Sequence, residues 1–197
     1  MGRSRSMDLD ISQRRTLLEL GRKSIERGLE AGRMLDWPAT QIDADLQVVR
    51  ASFATLKIDG MLRGCCGTVY PARSLAEDVW RNAWASAFSD PRFPPLVRSE
   101  YPHLELHVSI LSPLEAVQVE SEFELLESLR PGTDGLLLEL GATRATFLPA
   151  VWEQLPEPQA FLRHLKEKAG WPTKFWTSRI RVYRYTTQCI GADELAL

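Results

Sequence analysis

The stretch MLRGCCGTVYP, residues 61–71, sets an arginine, two glycines and two adjacent cysteines inside a run with strand character. Cysteine is a nucleophile as its thiolate, and a neighbouring guanidinium favours that form. Alternation along a strand puts Arg63, Cys65 and Gly67 on one face and Gly64, Cys66 and Thr68 on the other. Cys65 is therefore the candidate nucleophile or redox thiol. Arg63 is the candidate for orienting a carboxylate or phosphate through two parallel N–H bonds. Glycine inside a strand marks a bulge or a close backbone approach, which makes Gly64 and Gly67 candidates for the lining of a substrate site. The competing reading makes both cysteines small buried hydrophobes, the commoner fate of the residue. The pattern is not a phosphate-binding loop, which needs Gly-Lys-Ser/Thr at a helix start.

Other clusters carry less. His103, Glu105 and His107 recur at every second position of HLELHVSIL, one face of a strand, and with Cys65 they form a conceivable metal site. A solvated outer face accounts for the same pattern, and no metal is assigned. Arg179, Arg181, Tyr183 and Tyr185 share a face and are a modest candidate for phosphates or acidic partners. Trp80 and Trp84 fall on the core side of a helix, which makes the tryptophans packing residues before base-stacking platforms. No serine stands in G-x-S-x-G, so a hydrolase triad has no support.

These residues need elements to hold them. Leu17, Leu18, Ile25 and Leu29 at helical spacing predict a helix from Ser12 to about Arg33. Leu46 to Ile58 reads as a strand with Val49, Ala51 and Phe53 on one face. Asp59-Gly60 then turns it into a second strand from Leu62 to Val69. Ser74-Leu-Ala-Glu77 is a capping box, and its helix carries Val79, Trp80, Ala83, Trp84, Ala87 and Phe88. Asp90-Pro91 stops that helix. A short helix around 123–129 follows, then a hairpin over Gly135–Leu148 turning at Gly141-Ala142. Glu157-Pro158 opens a helix to Ala169 with Gly170 past its end. RIRVYRYTT reads as one last strand. The sum is an α+β protein: a mixed or mostly antiparallel sheet covered by helices.

The 197 residues, 44% apolar and 25% charged, suit a single domain over residues 11–197 behind a flexible polar leader, residues 1–10. The leader fits a loose myristoylation pattern through Gly2 and Ser6, although a frayed terminus fits as well. A net charge of −2 argues against a general nucleic-acid binder. No apolar run is long enough to span a membrane. Three cysteines, two of them vicinal, do not make a disulfide framework and point to a reduced, cytoplasmic setting.

Five segments in order resemble one family, the AMMECR-type domain. LRGCCG is similar to its LRGC-x-G signature, and AFSDPRFPPL to its DPRF-x-PL motif. LHVSILSPLE resembles its E-V-S-V-L-S-P-x-E strand. DGLLLELGATRATFLPAVWEQLP resembles its D-G-L hairpin and FLP-x-VW, and FLRHLKEKAG its FL-x-x-L-x-x-KAG helix. Cys66 stands where the family usually has isoleucine or valine, and His107 where it usually has glutamate.

The resemblance implies a compact α+β fold with a main and a smaller lobe. In prokaryotes it also implies a link with Memo-like and radical SAM proteins, the AmmeMemoRadiSam system. Its signature positions fall on Leu62, Arg63, Gly64, Cys65 and Gly67, and its second motif on Asp90, Pro91, Arg92 and Phe93. The family brings no established activity and names no cofactor. One expectation is a thiol-dependent enzyme, or an accessory component, with a small-molecule pocket at LRGCCG. There Arg63 with Arg92 or Glu105 holds an anionic substrate. The alternative is a non-catalytic binding or adaptor module.

Overall fold

The computed structural model describes residues 8–38 and 42–191. They divide into two compact units, one of residues through Ile110 together with those from Gln188 onward, the other Leu111–Thr187. Residues 1–7, including the myristoylation pattern at Gly2, lie outside the described residues. Leu9 and Asp10, read as part of the leader, are ordered parts of the first unit: Leu9 is buried and Asp10 caps a helix.

That helix is α1 (Ile11–Ala31). The Asp10 carboxylate accepts from the Gln13 amide at 2.9 Å, and the Gln13 side chain accepts from the Asp10 amide at 3.0 Å, a complete capping box. β1 (Ser52–Ile58) and β2 (Met61–Gly67) form the predicted hairpin. Asp59 and Gly60 take φ of 50° and 74°, the pair of positive values that a two-residue turn of this hand needs. α2 (Leu75–Phe88) starts where Ser74 Oγ accepts from the Glu77 amide. The reciprocal half of that capping box is replaced by an ion pair from Glu77 to Arg81 one turn on, 2.8 Å.

The sheet of the first unit has the order β2-β1-β3-β8, with β3 (Leu104–Leu111) and β8 (Thr187–Ile190) completing it. Its inner face presents Ala54, Leu56, Leu106, Val108 and Ile110. Leu17, Leu18 and Ile25 of α1 and Val79, Ala83 and Ala87 of α2 belong to the same core. The stretch read as a strand from Leu46 divides. Ala44–Gln47 is a 3-10 turn that buries Leu46, and Asp43 caps it by accepting from the Asp45 amide. Val49 is exposed, and the core face of β1 is the Ala54–Leu56 register, not the one through Phe53.

The second unit holds the order β4-β7-β5-β6, with β4 (Glu115–Val117), β5 (Gly135–Leu140), β6 (Thr143–Phe147) and β7 (Arg181–Tyr185). α3 (Glu122–Ser128) and α4 (Pro158–Lys168) supply Leu125, Phe161, Leu162 and Leu165 to a core with Leu136, Leu138 and Trp152. Trp152 stacks on Phe161 with ring centroids 3.8 Å apart. RIRVYRYTT is not one strand. It breaks at Thr186, with β7 in the second unit's sheet and β8 beside β3 in the first. The fold is α+β, with its strand pairs antiparallel.

Candidate functional site

The LRGCCG residues form β2, the edge of the first sheet. Leu56 pairs with Gly64 and Lys57 with Leu62, so Arg63 is an extra residue without an opposite number, a β-bulge. The bulge re-aims the arginine. Its Nε and Nη2 donate to the two oxygens of Glu100 at 2.7 and 3.0 Å, and Nη2 also donates to the Pro94 carbonyl at 2.9 Å. Phe93 lies against the guanidinium, 5.8 Å from ring centroid to Cζ. Arg63 does grip a carboxylate with its fork, but that carboxylate is the protein's own. Its hydrogen bonds hold the Glu100 carboxyl below the usual range.

Gly64 is a packing residue. A Cβ there would sit 2.0 Å from the Ser86 carbonyl oxygen of α2, so only a bare Cα lets the helix approach the strand this closely. Gly67 is closed on one side by the Phe53 ring, 2.2 Å from where its Cβ would stand. At both glycines the room a side chain would take is filled by the protein itself. Cys66 shares the α2 side of the strand with Gly64. Its amide donates to Ser86 Oγ at 2.8 Å, and burial, then the Asp90 charge, push its thiol up.

Cys65 faces the other way. Its Sγ lies 3.3 Å from Thr55 Oγ1 on the outer face of the sheet, and it is half-buried. Thr55 pairs with Cys65 on one side and with His107 of β3 on the other, so thiol, hydroxyl and imidazole form one lateral row. The next position along that face is Lys57 opposite Glu105.

Asp90 and Arg92 close the edge of β2. The Cys65 amide donates to Asp90 Oδ2 at 2.8 Å, and Arg92 Nη2 donates to the Cys65 carbonyl at 3.4 Å. Arg92 also donates through Nε to Asp90 Oδ1 at 2.9 Å and through Nη2 to Oδ2 at 2.7 Å. The Arg92 guanidinium holds the Asp90 carboxyl far below the usual carboxylate range, against the opposing effect of burial. At the C-terminal end of the strand, Thr68 Oγ1 donates to Asp78. Asp78 is fully buried and also accepts from the Ser52 amide and hydroxyl and from Asn82 Nδ2, between 2.7 and 2.9 Å.

Of the expected site, the fold thus brings Arg63, Cys65 and Arg92 to one strand edge and sets Glu105 two strands away on the outer face. His103 leaves the row, because it ends a 3-10 turn before β3. Among the described residues, no three of His, Cys, Asp and Glu are placed to hold a metal. Arg181 and Tyr185 are also engaged: Arg181 pairs with Glu139 at 3.0 Å, and the buried Tyr185 hydroxyl meets Thr146 and the Phe147 carbonyl. Thr55, Asp78, Ser86 and Glu100 were not expected. Each lies in an unremarkable sequence context; Thr55, Ser86 and Glu100 act on LRGCCG residues and Asp78 on the adjoining Thr68, each across at least ten positions of chain.

The sequence model of the AMMECR1 family matches residues 18–190, which contain all of these groups. The chain belongs to the AMMECR1 family. A protein of Methanothermobacter thermautotrophicus is 35% identical over 181 residues, 91% of this chain and 94% of its own length. One of Thermotoga maritima is 36% identical over 167 residues, 83% and 90% of the two chains. Among solved structures, an uncharacterized protein from Pyrococcus horikoshii superposes with a TM-score of 0.84 at 30% identity, covering 91% of each chain. The AMMECR1 assignment fixes the fold. Among the described residues, no helix is long and apolar enough to cross a membrane.

Proposed function

We propose that the outer face of the first sheet at β2 is a small-molecule site in which Cys65 is the reactive group, as nucleophile or thiol carrier. The carrying observation is the row Cys65–Thr55–His107, with the thiol 3.3 Å from a hydroxyl that can donate to a thiolate. Adjacent strands lie about 4.8 Å apart, so thiol and imidazole are roughly 10 Å from each other, a span for a small ligand rather than for a direct ion pair. Arg63 and Arg92 serve such a site as positioning groups, since Glu100 and Asp90 already occupy their forks. In cells the protein acts as an enzyme or accessory component beside Memo-like and radical SAM proteins, in keeping with the resemblance of its motifs. The test is site-resolved alkylation with iodoacetamide at pH 7. Cys65 is expected to react about tenfold faster than Cys189, an exposed thiol on β8. Equal or slower labelling of Cys65 refutes the thiol mechanism.

The adaptor reading has one observation in its favour. Met61 and Leu62, at the start of the same strand, are exposed. On that reading Leu62→Asp abolishes capture of a Memo-like or radical SAM partner, and Cys65→Ser leaves it intact. Loss of capture in Cys65→Ser returns the preference to the thiol.

A further inference from the structure

The Asp90–Arg92 pair does something a surface ion pair has no need to do: it holds both backbone polar groups of a single residue, the one that carries the candidate thiol. Edge-strand N–H and C=O groups ordinarily face water. Here the Cys65 N–H ends on Asp90 Oδ2 and the Cys65 carbonyl receives Arg92 Nη2, while the same two side chains are joined by two further bonds. The Asp90 side chain is 3% exposed and that of Arg92 55%. The buried anion therefore sits against the edge of the strand and the cation at its rim, both bonded directly to the backbone of Cys65.

We propose that Asp90 and Arg92 are a positioning pair for Cys65: they fix its peptide on the edge strand, and the balance of their opposite charges sets how readily the thiol releases its proton to solvent. The proposal rests on the reading of Cys65 as the reactive group and adds the means by which the second motif acts on the first. The other charged groups around the thiol are already balanced or more distant. Arg63 is neutralised by Glu100, and Lys57, Glu105 and His107 lie on the same face beyond or beside Thr55. Asp78 stands at the far end of the strand with Arg73 at 3.3 Å.

Opposite charges make an opposite-sign prediction. Asp90→Asn keeps an oxygen for the Cys65 amide and removes the anion, leaving Arg92 as uncompensated positive charge near the thiol. Arg92→Gln leaves the buried anion uncompensated. In the full-length Cys66→Ala protein, iodoacetamide labelling of Cys65 is followed by mass spectrometry from pH 6 to 10, with Cys189 on the opposite edge of the sheet as internal reference. Asp90→Asn is expected to raise the Cys65 rate at pH 7 by about threefold to tenfold and to move its pH profile down. Arg92→Gln is expected to lower the rate by a similar factor and to move the profile up. Cys189 should stay unchanged in both.

Loosening of the strand cannot produce this pair of results, because it accelerates Cys65 in both variants. Shifts of the same sign, or none, overturn the proposal. If Asp90→Asn fails to fold, Arg92→Lys decides: lysine keeps the charge and loses the fork, and a rate near wild type is expected where Arg92→Gln is slow. Equal slowing by both overturns the charge balance. Opposite shifts on a wild-type Cys65 no faster than Cys189 uphold the positioning pair and refute the reactive-thiol reading. A fast wild-type Cys65 indifferent to both changes does the reverse.

Discussion

Replacing Gly64 by alanine tests whether the glycine of the signature serves packing or ligand access. The added Cβ would lie 2.0 Å from the Ser86 carbonyl oxygen and 3.0 Å from its carbon, where real Cβ atoms stay beyond 3.0 Å. α2 or β2 must therefore move by about 1 Å, and the obstacle is helix backbone, which cannot swing aside as a side chain can. That movement strains a dense set of contacts. Ser86 Oγ accepts from the Cys66 amide and lies 2.8 Å from both the Ala54 and Asn82 carbonyls. Overpacking costs about 1–3 kcal/mol, and orphaning one buried hydrogen-bonding group adds about 1–3 kcal/mol. A loss of about 3–5 kcal/mol is expected, read as a fall in urea midpoint at unchanged slope. Gly60→Ala is the control: its φ of 74° strains alanine, but nothing lies within 4 Å of the new methyl. That change should cost about 1–2 kcal/mol. A Gly64→Ala protein within about 1 kcal/mol of wild type, or no worse than Gly60→Ala, refutes the packing account and returns Gly64 to the ligand-binding candidates.

Three further outcomes follow from the same network. Asp78→Ala removes the acceptor of the buried Ser52 amide and hydroxyl, and about 3 kcal/mol of unfolding free energy should be lost in urea titration. Asp90, whose folded carboxyl titrates below an unfolded one, contributes stability that is fully present above about pH 4 and is lost as pH falls towards its folded value. The stability gap between wild type and Asp90→Asn should therefore narrow between pH 5 and pH 2, and a constant gap contradicts the pairing. A double-mutant cycle of Arg63→Met and Glu100→Gln should return a coupling of about 1–2 kcal/mol, because Arg63 is only 11% exposed and its fork meets both oxygens. Additive losses would mean the pair is solvated.

What the sequence made legible was local. The Asp59-Gly60 turn could be read because few residue pairs accept two positive φ values in succession. The glycine-in-strand rule pointed at a bulge, and one lies at Arg63, directly before Gly64. Where a tertiary partner decides, reading fails. Leu46 carries apolar periodicity into the next strand, yet it anchors a separate turn whose Asp43 and Asp45 accept from the Gln13 side chain of α1. Thr186 has no breaker beside it, and the chain still changes sheets there, since Arg181–Tyr185 completes one sheet and Thr187–Ile190 the other. Arg63 and Cys65 could be named as candidates from their residue types and the signature they belong to. Their actual partners could not, because Glu100 is 37 residues from Arg63 and Asp90 is 25 from Cys65. Glu105, placed near Arg63 as an anion-holding group, instead lies on β3 opposite Lys57 of β1.

The two motifs are better understood as one device than as two. An edge strand needs its outward N–H and C=O groups covered, and the loop after α2 covers those of Cys65 with a carboxylate and a guanidinium, as a short neighbouring strand would. The loop can lie there because Arg63, turned outward by the bulge, binds the Pro94 carbonyl and Glu100, while Glu100 in turn accepts from the Val97 amide. Gly64 then lets α2, from whose end the loop departs, sit directly on the strand. Each of these residues has a structural partner that accounts for its type: an arginine for a carboxylate fork, a glycine for a helix carbonyl, an aspartate for a strand amide. Cys65 is different. Serine or alanine would offer the same peptide N–H and C=O to Asp90 and Arg92, so the clamp explains the position and leaves the sulfur unexplained. A side chain whose surroundings are so heavily built, and whose own chemistry that building does not require, is where the function of this face has to be sought.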